Sequence, residues 1–158
     1  MDILVALGIT IGVLAGIWGV VAGNLALLTW AGFVSWACYF ASGGKVDGLK
    51  RTIAANLAGV IWGVLMVVGA GALNFPYAIG VTIAIGAFFM CVEAKINILS
   101  FIPGAFCGCA VYFGSGLKWE AAAIALIIGA VLGYLSDIAA IPLTKMGKKE
   151  DEKVEASN

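Results

Sequence analysis

Apolar residues follow one another in long blocks along this chain, separated by short polar or turn-forming stretches rather than interleaved with them. The first block is Ile3–Gly23, closed by a minimal Gly23-Asn24 turn, and a second runs Leu25–Ala41. A polar stretch, Ser42–Arg51, carries Lys45, Asp47, Lys50 and Arg51 before a third block, Thr52–Leu73. Asn74-Phe75-Pro76 closes it, since proline cannot continue a helix interior. The fourth block is Tyr77–Val92, ended by Glu93-Ala94-Lys95, and the fifth is Ile96–Phe113, followed by a Gly114–Glu120 loop. The sixth runs Ala121 to about Leu143, and Lys148–Asn158 forms a charged tail that is expected to be disordered. Each block approaches the roughly 20 residues a helix needs to cross hydrocarbon. The pattern predicts an all-α polytopic bundle of about six transmembrane helices over residues 1–145, with 146–158 a cytoplasmic tail.

The distribution of basic residues predicts an orientation. With the N-terminus inside, Lys45, Lys50, Arg51, Lys95, Lys145, Lys148, Lys149 and Lys153 fall on the inner side and only Lys118 outside. Eight against one is a strong positive-inside signal, placing both termini in the cytoplasm. Asp2 precedes the first block with no positive charge before it, so that block reads as a retained helix and not a cleaved signal.

Composition agrees with this reading. Apolar residues make up 63% and charged residues 11%, against about half and about a quarter in soluble domains. So apolar a chain of 158 residues has too little interior to hide its surface from water. The lipid bilayer is therefore the first partner. The net charge is zero and no basic stripe exists, which excludes nucleic acid. Histidine is absent, and Cys38, Cys91, Cys107 and Cys109 lie within apolar blocks as small hydrophobes, so no metal site is expected. No carboxylate pair and no nucleophile with a base presents itself, so neither catalysis nor a cofactor is expected.

Sliding the chain on itself by 73 positions lays Ala31–Gly43 on Gly104–Gly116 with six of thirteen identical: Phe33/Phe106, Ala37/Ala110, Tyr39/Tyr112, Phe40/Phe113, Ser42/Ser115 and Gly43/Gly116. After a further three-residue shift, Gly59, Gly63 and Leu65 fall on Gly129, Gly133 and Leu135. A three-span unit repeated in tandem inserts its second copy upside down, so halves 1–73 and 74–145 predict a 3+3 inverted repeat, a recurrent design of transporters and channels. Glycines spaced by four, including Gly12 and Gly16, Gly59 and Gly63, and Gly129 and Gly133, predict close helix contacts within or between subunits.

Candidate pathway-lining residues follow from what hydrocarbon tolerates badly. Asn56 and Asn97 carry amides that need partners, either across a polar path or as clamps between helices. Pro103-Gly104, inside the fifth block, predicts a broken helix with a freed Leu99 carbonyl. Phe33, Trp36 and Phe106 head an aromatic stripe suited to constricting a path for uncharged solutes, or to plain packing. Glu93, Lys95 and Asp137 sit near block ends, and no deep acid or base offers a proton relay.

The segments GIWG (16–19), LLTWAGF (27–33), YFA (39–41), MCVEAK (90–95) and LSFIPGAF (99–106) resemble the YcdZ-like bacterial inner-membrane family, whose function is not known. The resemblance reaches to about Leu143 and implies an inner-membrane location with several spans; it carries no functional residues across. The expectation for function is a small homo-oligomeric channel or facilitator for a small uncharged solute. The alternative is a structural or regulatory membrane protein.

Overall fold

The computed structural model describes residues 2–73 and 75–155, with side-chain detail as far as Lys145. It holds six α-helices: α1 Ile3–Asn24, α2 Thr29–Ala41, α3 Lys45–Leu73, α4 Ala78–Val92, α5 Ile102–Gly114 and α6 Trp119–Glu155. Glu93–Lys95 and Asn97–Leu99 form two 3-10 turns between α4 and α5. Helix is the natural answer to hydrocarbon, which leaves no water to satisfy a backbone amide or carbonyl.

Among the described residues, four segments are long and apolar enough to cross a membrane: Ile3–Asn24, Lys45–Leu73, Ala78–Lys95 and Trp119–Lys145. The second and fifth apolar blocks, each expected to form one long helix, do not. Their helices have 13 residues each, roughly 20 Å at 1.5 Å per residue, and each is preceded by an irregular apolar segment. Before α2, Ala26 takes a left-handed φ of 53°, and the Trp18 indole N–H donates to the Thr29 carbonyl at 3.0 Å, fixing where α2 starts. Before α5, Pro103 sits in the first turn, where a missing N–H leaves no bond unmade. The expected break at Pro103 inside a helix is thus a helix start. The proline inside a helix is Pro142 of α6, where it removes the hydrogen bond to the Ile138 carbonyl.

Two further boundaries move. The Ser42–Arg51 loop shrinks to a turn at Ser42–Gly44, because Lys45 onward is already α3. Likewise α6 continues through Glu155, past the point where the tail was expected to lose order. Lysine and glutamate dominate Lys148–Glu155 and are strong helix formers, so the helix has no reason to stop. Residues 156–158, the end of that tail, and Asn74 of the expected turn lie outside the described residues.

Contacts fix the helix directions. Gly59 and Gly63 of α3 meet Ala105 and Tyr112 of α5, advancing together, so α3 and α5 are parallel. Gly129 and Gly133 of α6 meet Gly32 and Tyr39 of α2 in the same way. Ser42 bonds Thr52 while Ser35 bonds Asn56, so α2 and α3 are antiparallel. The short helices α2 and α5 therefore run in opposite directions. α4 packs antiparallel on α3, with Gly86 against Met66 and Thr82 near Gly69. α1 lies on α6, tied by the Thr10 hydroxyl donating to the Ser136 carbonyl at 2.9 Å. Along α1, Leu4 is 73%, Val13 60% and Val20 66% exposed on more than one face, a surface that only an apolar medium tolerates over such length.

Candidate functional site

The short helices are matched position by position. Ala31, Gly32, Ser35, Trp36, Cys38 and Tyr39 are buried in α2, and Gly104, Ala105, Gly108, Cys109, Val111 and Tyr112 in α5, each 73 residues on. Their exits match as well. Ser42 and Ser115 donate their backbone N–H to Cys38 and Val111, and their hydroxyls to the Tyr39 and Tyr112 carbonyls. Gly43 and Gly116 then both take positive φ. Each short helix lies in a groove of one long helix, opened by glycines that bring backbone onto backbone. A Cβ at Gly59 would overlap the Ala105 carbonyl, one at Gly108 the Asn56 carbonyl, and one at Gly129 the Gly32 carbonyl.

At this crossing lies a buried polar pair. Asn56 Nδ2 donates to Ser35 Oγ at 2.7 Å, and both residues are fully buried. Asn56 Oδ1 has no hydrogen-bond partner among the described residues. An unpaired carbonyl oxygen in hydrocarbon costs more than the net value of the bond beside it, so it stands ready for a donor. At offsets of 73 and 70 residues these positions fall on Gly108 and Leu126, which carry no such polar side chain.

A second polar group lies along α6. Trp36 Nε1 donates to Ser136 Oγ at 3.2 Å, and Ser136 Oγ donates to the Gly133 carbonyl at 2.7 Å. Tyr39 OH donates to Asp137 Oδ2 at 2.6 Å, with the Lys45 N–H at 3.4 Å from the same oxygen. Hydrogen bonds to a charged acceptor contribute more than neutral ones, so Tyr39→Phe is expected to cost about 1.5–3 kcal/mol of stability. Unfolding in mixed detergent micelles measures this; a loss under about 0.5 kcal/mol would mean that water replaces the phenol at Asp137. On the other flank, Trp62 Nε1 donates to Glu93 Oε2 at 2.7 Å and its ring stacks on Phe89 with centroids 5.3 Å apart. Glu93 Oε1 is buried without a partner among the described residues.

Of the candidate residues, Asn56, Trp36 and Gly104 come into the interior, with Gly104 against Phe101 and Ala55. Phe33 and Phe106 face outward, 42% and 43% exposed, Phe33 stacked on Trp36 with centroids 6.1 Å apart. Phe106 borders a surface cavity of about 270 Å³ beside Met90 and Phe113. Pro103 and Asn97 are exposed, and Asn97 lines a polar cavity with Asp47, Lys50 and Arg51. Gly59, Gly63, Gly129 and Gly133 make helix contacts inside the chain, whereas Gly12 and Gly16 have open space where a Cβ would stand. Sequence reasoning missed Ser136, whose links to Trp36 and Thr10 span 100 positions or more. Among the described residues no group of three or more potential ligands gathers for a metal ion.

Apolar helices of crossing length, glycine-sealed crossings and a lipid-type outer surface define an all-helical integral membrane protein. The family model described as "Protein of unknown function (DUF1097)" matches residues 8–141, and the chain belongs to that family. It is 42% identical over 137 residues to the inner membrane protein YcdZ of Escherichia coli (strain K12), covering 85% of this chain and 83% of that one. The inner membrane protein YcdZ of Salmonella typhimurium is 39% identical, covering 85% of each. The uncharacterized protein YahC of Escherichia coli (strain K12) is 29% identical over 96% of this chain and 99% of its own. No solved structure matches the chain.

Proposed function

We propose that this chain is a bacterial inner-membrane facilitator for a small uncharged solute, built from two three-helix units inserted in opposite orientations. In this reading all six apolar segments cross the bilayer, α2 and α5 together with the irregular segments before them, both termini are cytoplasmic, and copies assemble as homo-oligomers. The observation that carries it is the pairing of α2 and α5, alike in length, burial and exit turns yet running in opposite directions. Inverted units place related short helices on either side of the midplane, where transporters and channels hold their solutes. The Ser35–Asn56 pair, with its buried and unpaired acceptor, is the polar feature at that crossing, and it favours a solute that donates a hydrogen bond. The relatives' name of inner membrane protein supports the location.

Stopped-flow swelling of proteoliposomes against a panel of small neutral hydrogen-bond donors is the test. At least one is expected to enter several-fold faster than into empty vesicles, and equal rates for all would remove the reading. The continuation of α6 to Glu155 favours one other reading, a regulatory or structural protein whose helical end engages a partner. Removing residues 146–158 separates them: solute entry survives the deletion under the first, whereas the second predicts loss of the partner with no entry at all.

A further inference from the structure

At the start of α3, Lys50, Arg51 and Asp47 face the Asn97–Leu99 turn across a cavity of about 270 Å³ lined also by Asn97 and Ile98. The cavities beside Thr10 and beside Phe106 have almost wholly apolar walls; this one is lined by two cations, a carboxylate and an amide. Its depth is fixed by the helix. From Arg51 to the end of α3 at Leu73 is 22 residues, about 33 Å of helix, close to the roughly 30 Å thickness of bilayer hydrocarbon. Arg51 therefore stands where headgroup phosphates lie when Leu73 reaches the opposite face. Basic residues on the side marked inner by their own bias meet a surface of phosphodiesters, and a pocket between helices turns that attraction into a site.

The charge balance selects among phosphates. Lys50 and Arg51 against Asp47 leave the cavity with one net positive charge. A singly charged phosphodiester neutralises that charge, whereas a dianionic phosphate would leave one unit of negative charge uncompensated beside Asp47. The guanidinium fork and the Asn97 amide supply directional donors to phosphate oxygens. Asp47 in turn can accept from a headgroup hydroxyl, and Ile98, 43% exposed, offers an apolar edge toward the acyl chains. We propose that this cavity holds the phosphodiester headgroup of a membrane phospholipid such as phosphatidylglycerol. Occupancy would tie the irregular segment before α5 to the base of α3, and so set the start of one of the two short helices. The proposal stands on membrane insertion alone and does not require transport.

Native mass spectrometry of the full-length detergent-solubilised protein, titrated with phosphatidylglycerol, is the experiment. The wild-type chain is expected to retain the lipid, and the K50Q/R51Q double variant to retain it about tenfold less well. N97A, at an exposed position, is expected to lose a few-fold and stands in if the double variant fails to fold. Diacylglycerol with the same acyl chains is expected not to be retained, and inorganic phosphate not to displace the phospholipid. Undiminished retention in both variants overturns the site. Equal retention of diacylglycerol assigns binding to acyl chains, and displacement by inorganic phosphate assigns the cavity to a free anion; either overturns the headgroup proposal.

Discussion

Alanine at Gly59 is expected to abolish folding, whereas alanine at Gly12 or Gly16 is expected to leave the protein intact or slightly more stable. A Cβ on Gly59 lands on the Ala105 carbonyl, with the Ala105 carbonyl carbon and the Cys109 nitrogen also under 3 Å. All three are backbone, so no rotamer relieves the overlap and α5 must leave its groove. Overpacking of this kind costs about 3 kcal/mol or more, and Gly108 and Gly129 stand in the same position against Asn56 and Gly32. Gly63 differs in degree: its Cβ would meet Tyr112 Cδ1 at 2.6 Å, a ring with some freedom to tilt. At Gly12 and Gly16 nothing lies within 4 Å, so alanine meets no obstacle and gains about 0.5–1 kcal/mol of helix propensity. Unfolding of the variants in mixed detergent micelles, followed by helical circular dichroism, gives the contrast. A loss at Gly12 as large as that at Gly59 would show α1 to be packed against a second copy.

That contrast also marks where the sequence stops being legible. Every glycine pair spaced by four looks alike in the chain, because the spacing selects a helix face and says nothing of what the face meets. Gly59 and Gly12 are separated only by tertiary structure. The long helices were readable since hydrocarbon asks one thing of a segment, length without charge, and α1, α3, α4 and the first part of α6 meet it. The irregular segments at Leu25–Leu28 and Ile96–Phe101 were not. Leu25–Leu28 is as apolar as the helices it interrupts, and Ile96–Phe101 departs from them only at Asn97 and Ser100; a contact from afar, the Trp18 indole on the Thr29 carbonyl, marks the first break. Asn56 was legible as an amide with nowhere to go, but its partner Ser35 lies 21 residues away on another helix. Phe33 and Trp36, three apart, share a helix face by periodicity, yet only Trp36 is buried, and Phe33 lies over it at the surface. The 73-residue offset carried the most information. It was drawn from six identities, and the same offset relates the ends of α2 and α5 and every buried position between them.

Leucine at Asn56 is expected to cut solute entry about tenfold or more while leaving stability within about 1 kcal/mol of wild type. Leucine repeats the branching and the side-chain heavy-atom count of asparagine, so the fully buried site stays filled. The Ser35 bond is lost, worth about 0.6 kcal/mol between membrane helices, but the unpaired Oδ1 is lost with it, and removing an unsatisfied buried acceptor offsets the deficit. Transport is affected differently. In the facilitator reading, a passing donor that loses this acceptor must shed water with less in return, and a deficit of about 1.4 kcal/mol is already tenfold in rate. Ser35→Ala gives the complementary result, since it strands Nδ2 beside the stranded Oδ1 and is expected to cost about 1–3 kcal/mol of stability. Swelling assays and micelle unfolding on the same preparations separate the two roles of the amide. If the leucine variant conducts as wild type does and unfolds several kcal/mol more readily, Asn56 is a clamp between α2 and α3. The solute path then has to be sought away from the crossing of the short helices.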